Sequence, residues 1–389
     1  MSNGHSGSSV SYSRQAMWLA LALAPQLGAT RSRRLVEHFE NIENVFRASL
    51  TELEAAGLPA VSAQAIHSRD SLARAEEELL RATAAGATII TIDEPAYPQH
   101  LRQIYDPPVA LFVRGSVEAL ATPGIAVVGT RHPTPYGLGM AERLACDLAA
   151  HGLIIFSGLA RGIDSAAHRG AVHAKGRTVA VLGTGVDVIY PRENTRLADS
   201  ILAMGGAVIS EFPLGTFAAP QNFPIRNRII SGLSLGVLVV EAGEYSGTRI
   251  TARNALEQNR ELFAVPGNVT NKNSWGPNTL MKQGAKLVAT WDDVFEELPS
   301  QIKVHPALRD SAASEAPAAA SLFEQPEKLG EHERQVFRLL RADESRHIDQ
   351  LVEELEGKLS PSEIFSALFE LEFGGHVRQL PGKNYVRTM

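Results

Sequence analysis

Short apolar runs alternate with amphipathic stretches between residues 84 and 300. The apolar runs predict strands at Thr88–Ile92, Ala110–Arg114, Ile125–Val128, Leu153–Phe156, Thr178–Leu182, Ala207–Ser210, Val237–Val240, Leu262–Val265 and Lys286–Ala289. A helical segment follows each strand from Ile125 onward. Nearly continuous Val, Ile and Leu runs that alternate with helices indicate an α/β fold with a parallel sheet covered on both faces. Such sheets bind ligands beyond the carboxyl ends of their strands, so we expect the chemistry in those loops.

The segments that flank this core, residues 84–300, have different patterns. Residues 1–15 predict a disordered Ser/Gly-rich tail, and residues 16–83 predict a small domain of short helices. Pro and Ala residues over 301–325 predict a flexible linker. Residues 326–389 predict helices at Glu331–Arg341, Ile348–Glu356 and Pro361–Phe373, then a hairpin over 376–386. Three helices and a hairpin form the winged-helix pattern.

Composition is that of a globular protein, with 44% hydrophobic and 21% charged residues in a chain of 389. A net charge of −6 argues weakly against nucleic-acid binding, because a local groove of arginines binds phosphates even on an acidic protein. The single cysteine, Cys146, excludes an intrachain disulfide and fits a reducing compartment, so we expect a cytoplasmic protein.

Residues 14–24 have a faint likeness to a signal peptide, since Arg14 precedes the apolar run Ala16–Ala24. The helical apolar pattern continues through Leu27, Leu35 and Phe39, which favours the first helix of a domain. No apolar run approaches the roughly 20 residues that span a bilayer, so no membrane association is expected.

The segment 221–230 places Asn222, Phe223, Arg226 and Arg228 close together. Arginine forks fit phosphate oxygens, asparagine bonds sugar or base edges, and phenylalanine offers a face for a base. These side chains suit single-stranded nucleic acid. The alternative is an ordinary helix start with solvated arginines.

Gly/Ser/Thr turns follow several of the predicted strands and lead into helices. They are Gly129-Thr130-Arg131, Ser157-Gly158 through Arg161-Gly162, Gly183-Thr184-Gly185 and Ser246-Gly247-Thr248. Turns of this kind present backbone N–H groups and the positive end of a helix dipole to an anion. One such turn is a weak signal, but several on successive crossovers predict an anion site with Arg131, Arg161, Arg226 and Arg228 around it.

Cofactor and metal motifs are missing from the sequence. The turn after Gly183 lacks the third glycine of a dinucleotide fingerprint, and there is no Walker motif. No His/Cys cluster has metal-ligand spacing, so neither a cofactor nor a metal is expected. Asp164, His168, Glu211 and Glu241 could form an acid/base set. We favour the alternative that the carboxylates Asp164 and Glu211 orient arginines and that His168 packs on a helix.

Seven segments of residues 120–290 together resemble the bacterial DNA-processing protein A (DprA/Smf) family. They are Val127–Arg131, Ser157–His168, Ile189-Tyr190-Pro191 with Asn194, Ser210–Pro213, Asn222–Ile230, Ser246–Thr248 and Val265–Gly267. The resemblance implies an extended Rossmann-like core with a SAM-like or helix-hairpin-helix-like N-terminal domain and a C-terminal winged helix. Arg249 departs from the family pattern, in which an apolar residue commonly follows the Ser-Gly-Thr turn.

The resemblance also implies a function. Family members bind single-stranded DNA, protect it during natural transformation, load the RecA recombinase onto it and generally form dimers through the core. By this resemblance Arg131 and Ser157–Gly162 form the phosphate pocket, and Asn222–Arg228 line the same groove with Phe223 as a base-stacking candidate.

Two other functions compete with a non-catalytic DNA-binding protein. The first is a nucleotide-processing enzyme like the lysine-decarboxylase-like phosphoribohydrolases, but residues 241–252 lack their Pro-Gly-Gly turn and the catalytic Glu after it. The second is a winged-helix regulator of duplex DNA. Its predicted third helix, Pro361–Phe373, carries three glutamates and no Lys or Arg, which suits a major groove poorly.

Overall fold

The computed structural model describes residues 12–303, 329–342 and 344–388. Its first strands are β1 (Thr88–Thr91), β2 (Ala110–Gly115), β3 (Gly124–Val128), β4 (Ile154–Ser157), β5 (Thr178–Val181), β6 (Ala207–Ser210), β7 (Gly236–Val239), β8 (Glu261–Ala264) and β9 (Lys286–Leu287). All nine predicted strands are confirmed, and no end differs from its predicted position by more than two residues.

The helices that precede and connect these strands are α1 (Arg14–Leu23), α2 (Ala29–His38), α3 (Ile42–Val45), α4 (Leu50–Ala55), α5 (Ala60–His67), α6 (Asp70–Ala84), α7 (Gln99–Arg102), α8 (Pro135–Ala150), α9 (Ile163–His173), α10 (Thr195–Ala203), α11 (Asn222–Leu233), α12 (Thr248–Glu257), α13 (Trp275–Lys282), α14 (Trp291–Glu297) and α15 (Ser300–Lys303). Short 3-10 turns lie at Glu118–Ala121, Arg192–Asn194 and Lys272–Ser274.

The chain divides into two compact units, and the first comprises residues 12–121 and 179–233. Its strand order is β1-β2-β6-β5, in which β2 runs antiparallel to both β1 and β6, whereas β5 and β6 are parallel. Leu19 and Leu72 of the N-terminal helices pack in one buried cluster with Ile89 and Phe112 of β1 and β2. This cluster contains residues from both sides of the domain boundary expected between residues 83 and 84. The boundary therefore stays a prediction.

The second unit comprises residues 122–178 and those from 234 onward. Its strand order is β4-β3-β7-β8-β9, and every pairing that involves β3, β7 or β8 is parallel. The strand β3 is buried along its whole length, as expected of a parallel strand with helices on both faces. Helices α8 and α9 approach closely because Gly170 has no Cβ to collide with the carbonyl oxygen of Glu142.

The C-terminal residues 329–388 form the predicted winged helix, with α16 (Glu331–Leu339), β10 (Arg346–His347), α17 (Ile348–Glu354), α18 (Pro361–Phe373), β11 (Val377–Leu380) and β12 (Asn384–Arg387). The strands pair antiparallel in the order β10-β12-β11. Ser360 caps α18 by accepting from the Glu363 amide while the Glu363 carboxylate accepts from the Ser360 amide, and Pro361 occupies the first turn.

Two predicted segments fall largely outside the described residues. Residues 1–11 of the predicted tail lie there, whereas Arg14 begins α1 and Ser13 caps it by accepting a 3.1 Å hydrogen bond from the Ala16 amide. Residues 304–325 of the predicted linker also lie outside the described residues, whereas Ser300–Lys303 form α15.

Candidate nucleic-acid interface

The loop that follows β3, Gly129-Thr130-Arg131, is pinned by backbone contacts on both sides. The Thr130 amide donates to the Glu241 carbonyl at 2.7 Å, and the Thr130 carbonyl accepts from the Ile163 amide at 3.2 Å. A Cβ on Gly129 would lie 2.5 Å from Ile163 Cγ1 and 2.8 Å from the Glu241 carbonyl oxygen. Only glycine fits there, so the direction in which the chain leaves β3 is fixed up to Arg131.

The loop that follows β4 reaches the same place. Gly162 has φ +76°, and an added Cβ would overlap the Thr130 carbonyl oxygen and lie 2.9 Å from the carbonyl carbon of Arg131. The backbones of the two loops therefore touch, and Arg131 and Arg161 are the exposed arginines of these loops. Gly162 is also the N-cap residue of α9.

This arrangement suits an anion. The eleven-residue helix α9 directs the positive end of its dipole toward the loop, and each of the two loops that meet there carries an exposed arginine. A guanidinium donates two parallel hydrogen bonds to a phosphate group, which a lysine cannot do. We therefore define the phosphate patch as Arg131, Arg161 and the first turn of α9.

Two predicted donors in the β4 loop are used inside the protein instead. The Ser157 hydroxyl is buried and donates to the Val127 carbonyl at 2.6 Å, which braces β4 against β3. The Gly158 amide donates to the Asp164 carboxylate at 3.2 Å. Ser157 and Gly158, which the resemblance places in the phosphate pocket, use these two donors within the protein and hold the loop that carries Arg161.

Two of the residues considered as an acid/base set, Glu241 and His168, form hydrogen bonds that hold the fold together. The buried Glu241 carboxylate accepts from the Thr134 amide at 2.9 Å and the Thr134 hydroxyl at 2.6 Å, at the N-cap of α8. Burial raises the pKa of Glu241, and the hydrogen bonds from Thr134 oppose that rise. His168 Nδ1 lies 2.8 Å from the Thr178 hydroxyl, whose only proton goes to the Ile155 carbonyl, so His168 is the donor.

The third turn, Ser246-Gly247-Thr248, begins α12. Ser246 Oγ accepts from the Thr248 amide at 3.2 Å, while Gly247 is exposed. Arg249, which departs from the family pattern, lies with its guanidinium 5.7 Å from the centre of the Trp275 ring and donates to the Glu244 carbonyl. This turn therefore exposes Gly247 at a helix start, whereas Thr248 is buried and the guanidinium of Arg249 lies over the Trp275 ring.

Helix α11 places Asn222, Phe223, Arg226 and Arg228 in the first unit, and here one expectation is wrong. Arg226 is buried and donates to the Val181 carbonyl, and Asn222 is buried with its amide 3.0 Å from the Gly183 carbonyl. Asn222, Arg226 and Ile229 recur at the helical period and form the buried side of α11. Arg226 therefore holds α11 against β5 and does not face a phosphate.

Arg228 is also occupied within the protein. Its guanidinium contacts Glu211 at 2.6 and 2.9 Å and Asp106 at 2.9 Å, and both Arg228 and Glu211 are largely buried. The predicted track of four arginines is thus reduced to Arg131 and Arg161, because Arg226 and Arg228 bond inward. The expectation that Glu211 orients an arginine is confirmed by this pair.

The Tyr190 ring, which was not among the predicted site residues, lies beside Phe223. Phe223 is half-buried, and a Cβ on Gly183 would lie 3.0 Å from its Cδ1. The exposed Tyr190 ring lies 5.8 Å from the Phe223 ring at an angle of 36°. Phe217, in the loop before α11, is more exposed still. The segment Ile189-Tyr190-Pro191 already stood among the residues that resemble the family, so Tyr190 could have been chosen from the sequence.

Among residues 12–303, 329–342 and 344–388, no group of three His, Cys, Asp or Glu side chains is placed to hold a metal ion. In the part of the chain that the structure describes, no helix is both long enough and apolar enough to cross a bilayer.

Parallel strands with helices between them, a winged helix and arginine-bearing loops at strand ends define an extended Rossmann-like protein with a cationic patch. A family model described as DNA recombination-mediator protein A matches residues 88–299, and a model of the DprA winged helix domain matches residues 313–383. The chain belongs to the DNA processing protein A (DprA/Smf) family, as its sequence segments suggested. This family is generally non-catalytic, so the phosphoribohydrolase alternative is set aside.

Individual relatives agree with this assignment. Protein Smf of Escherichia coli is 43% identical over 300 residues, which cover 77% of each chain. The DNA processing protein DprA of Bacillus subtilis is 46% identical over 217 residues, covering 56% of this chain and 73% of the relative. The X-ray structure of DprA from Streptococcus pneumoniae superposes with a TM-score of 0.64 at 34% identity, covering 74% of this chain and 98% of that one.

Proposed function

We propose that this protein binds single-stranded DNA without catalysis, protects incoming strands and loads the RecA recombinase onto them during natural transformation. The observation that carries the proposal is the phosphate patch. Arg131 and Arg161 leave touching loops at the start of α9, in a chain that belongs to a DNA-processing family. We further propose that Gly129, Thr130, Gly162 and the Ser246-Gly247-Thr248 turn shape the DNA-binding surface around these arginines.

Binding through this patch is independent of base sequence and depends on salt. Contacts to phosphate position the strand and carry no sequence information. Each phosphate contact on a single strand steepens the dependence of log affinity on log salt by about 0.7. When the salt concentration rises from about 50 to about 200 mM, the loss of these two phosphate contacts' electrostatic contribution should therefore weaken binding roughly sevenfold.

The preference for single strands comes from aromatic faces, since only unpaired bases are free to stack on them. We propose Phe223 as a stacking residue, with the exposed Tyr190 ring beside it as a second face. Substitution of Phe223 by Ala should cost roughly 1–3 kcal/mol of binding free energy if a base stacks there. Because Phe223 also packs on Gly183, Tyr190→Ala is the matched variant, and an unchanged affinity for both variants would exclude stacking at this place.

The proposal also covers the oligomeric state, the cellular location and the domain boundaries. We propose a cytoplasmic homodimer joined through the late part of the core, where Leu280 and Met281 are half-buried and Leu287 is exposed on the edge strand β9. Light scattering at micromolar concentration should give twice the mass of the chain, and a monomer would contradict it. We also propose that residues 16–83, 84–300 and 326–389 are separate domains.

The function is tested by direct competition between DNA forms. The purified protein should bind a labelled single strand, and an unlabelled duplex of the same length should compete weakly. On single strands coated with a single-strand-binding protein, its addition should restore the DNA-dependent ATPase of RecA. Equal competition by duplex would contradict single-strand preference, and an unrestored ATPase would contradict recombinase loading. Intrinsic nuclease or ATPase turnover that is lost in Glu241→Ala or His168→Ala would favour an enzyme.

A further inference from the structure

The third helix of the winged helix, α18, exposes three phenylalanine side chains in one line. Phe365, Phe369 and Phe373 are 51%, 66% and 84% exposed, and they recur at intervals of four residues. At 100° per residue they lie within one face of the helix, about 80° wide. The opposite side, with Ile364, Ala367, Leu368 and Leu371, packs into the core of the winged helix. We call the exposed line the phenylalanine stripe.

Acidic side chains border this stripe on both sides. By helical angle Glu372 lies on one side of the phenylalanines, and Glu363 and Glu370 lie on the other. Hydrogen bonds from the Ser360 amide and hydroxyl lower the pKa of Glu363, so it stays ionised at neutral pH. Glu372 accepts from the Gln379 amide at 3.0 Å, and α18 carries no Lys or Arg.

The stripe presents an apolar area of the size that often marks a functional patch. A phenylalanine side chain buries about 150–250 Å², so the exposed parts of these three present roughly 400 Å² of apolar surface. Contiguous apolar patches of several hundred Å² with a polar rim mark interaction sites. The rim then decides which partner fits.

Three possible occupants are disfavoured by charge. Duplex DNA and an anionic lipid surface both carry negative charge, which the glutamates on each side of the stripe would repel. A second copy of this helix would bring its own acidic side chains toward the glutamates that border the stripe. A partner that meets apolar side chains with apolar ones and glutamates with cations removes both problems.

We propose that the phenylalanine stripe is a docking surface for an amphipathic helix of another protein, with apolar side chains along one face and Lys or Arg on both edges of that face. Such a helix lays its apolar line against the three rings and pairs its cations with Glu370 and Glu372. The proposal goes beyond the proposed DNA binding and does not depend on it. It assigns the winged helix to protein recruitment.

The test uses the full chain and a fluorescein-labelled peptide of Leu and Lys, about 18 residues long, with Leu along one face and Lys on both edges. Two control peptides have the same Leu and Lys in shuffled order, or Glu in place of Lys. The protein variants are Phe369→Ser, the pair Glu370→Gln and Glu372→Gln, and Leu80→Ser on α6, where Leu80 is 74% exposed. Fluorescence anisotropy measures each affinity.

The parent and Leu80→Ser should bind the Leu/Lys peptide equally, and Phe369→Ser should bind it at least about tenfold more weakly, as for loss of an aromatic anchor. Both control peptides should bind weakly, and the glutamate variant should lose affinity and salt dependence. Absence of binding by the parent, or equal binding by Phe369→Ser, would overturn the proposal. A change in mass of the full chain, or a loss of duplex binding, in Phe369→Ser with unchanged peptide affinity would overturn it too, in favour of a second copy or DNA.

Discussion

Substitution of Arg228 by Ala tests whether this arginine stabilises the fold or contacts DNA. In the structure this guanidinium makes two bonds to Glu211 and one to Asp106, in largely buried surroundings. Removal of one partner of a buried pair costs about 3–5 kcal/mol because the other charge stays buried without compensation. Asp106 is 41% exposed and loses little, so Glu211 dominates and we expect about 3 kcal/mol.

Urea unfolding measures this cost. With a slope of about 2 kcal/mol per molar, the midpoint of Arg228→Ala should fall by about 1.5 M. The double variant Arg228→Met with Glu211→Leu should recover part of the loss, because it leaves no buried carboxylate. Below the transition, folded Arg228→Ala should bind single-stranded DNA with the salt dependence of the parent. An unchanged midpoint together with weaker, less salt-dependent binding would refute the burial argument and make Arg228 a phosphate contact.

Three further predictions follow from the loops around the phosphate patch and from the end of the core. Because burial raises the pKa of Glu241, its carboxyl contributes stability below about pH 4.3 that is lost as the pH rises through the raised pKa. The unfolding free energy of Glu241→Gln minus that of the parent should therefore increase as the pH rises through this range, and a difference that does not change with pH would contradict this prediction. Gly162→Ala should weaken binding of single-stranded DNA without removal of any charge, whereas Gly28→Ala, where a Cβ meets nothing within 4 Å, should be neutral; equal effects would contradict the close approach of the loops. A chain that ends at Lys303 should fold by circular dichroism and retain its affinity for single-stranded DNA, and loss of binding would make the winged helix the DNA site.

Sequence patterns located the strands well because a buried parallel strand is a nearly continuous run of Val, Ile and Leu, which is easy to recognise. Val and Ile runs such as those of β3 and β6 stand out between helices, and Gly turns mark their ends. The two-residue strand β10 was not predicted, since Arg346 and His347 are polar and form a strand only by pairing with β12. Short polar strands depend on tertiary pairing and carry little local signal.

The candidate site shows a sharper limit. Periodicity along α11 could have indicated that Arg226 shares the buried side with Ile229, because these positions are three residues apart on a helix. No local pattern could show that Arg228 pairs with Asp106, which lies 122 residues earlier in the chain. By contrast, Arg131 and Arg161 follow neighbouring strands, and the topology of a parallel sheet brings such strand ends to one edge.

Salt-titrated binding of single-stranded DNA tests most directly whether Arg131 and Arg161 hold phosphates. Anisotropy should be measured for the parent, Arg131→Ala, Arg161→Ala, their double variant and Arg253→Ala, an exposed arginine on α12 paired with Glu257. Each substitution in the patch should weaken binding to every base sequence alike and flatten the salt slope by about 0.7, and the double variant by about 1.4, while Arg253→Ala matches the parent. A double variant that is folded by circular dichroism and binds as tightly as the parent at every salt concentration would contradict the assignment.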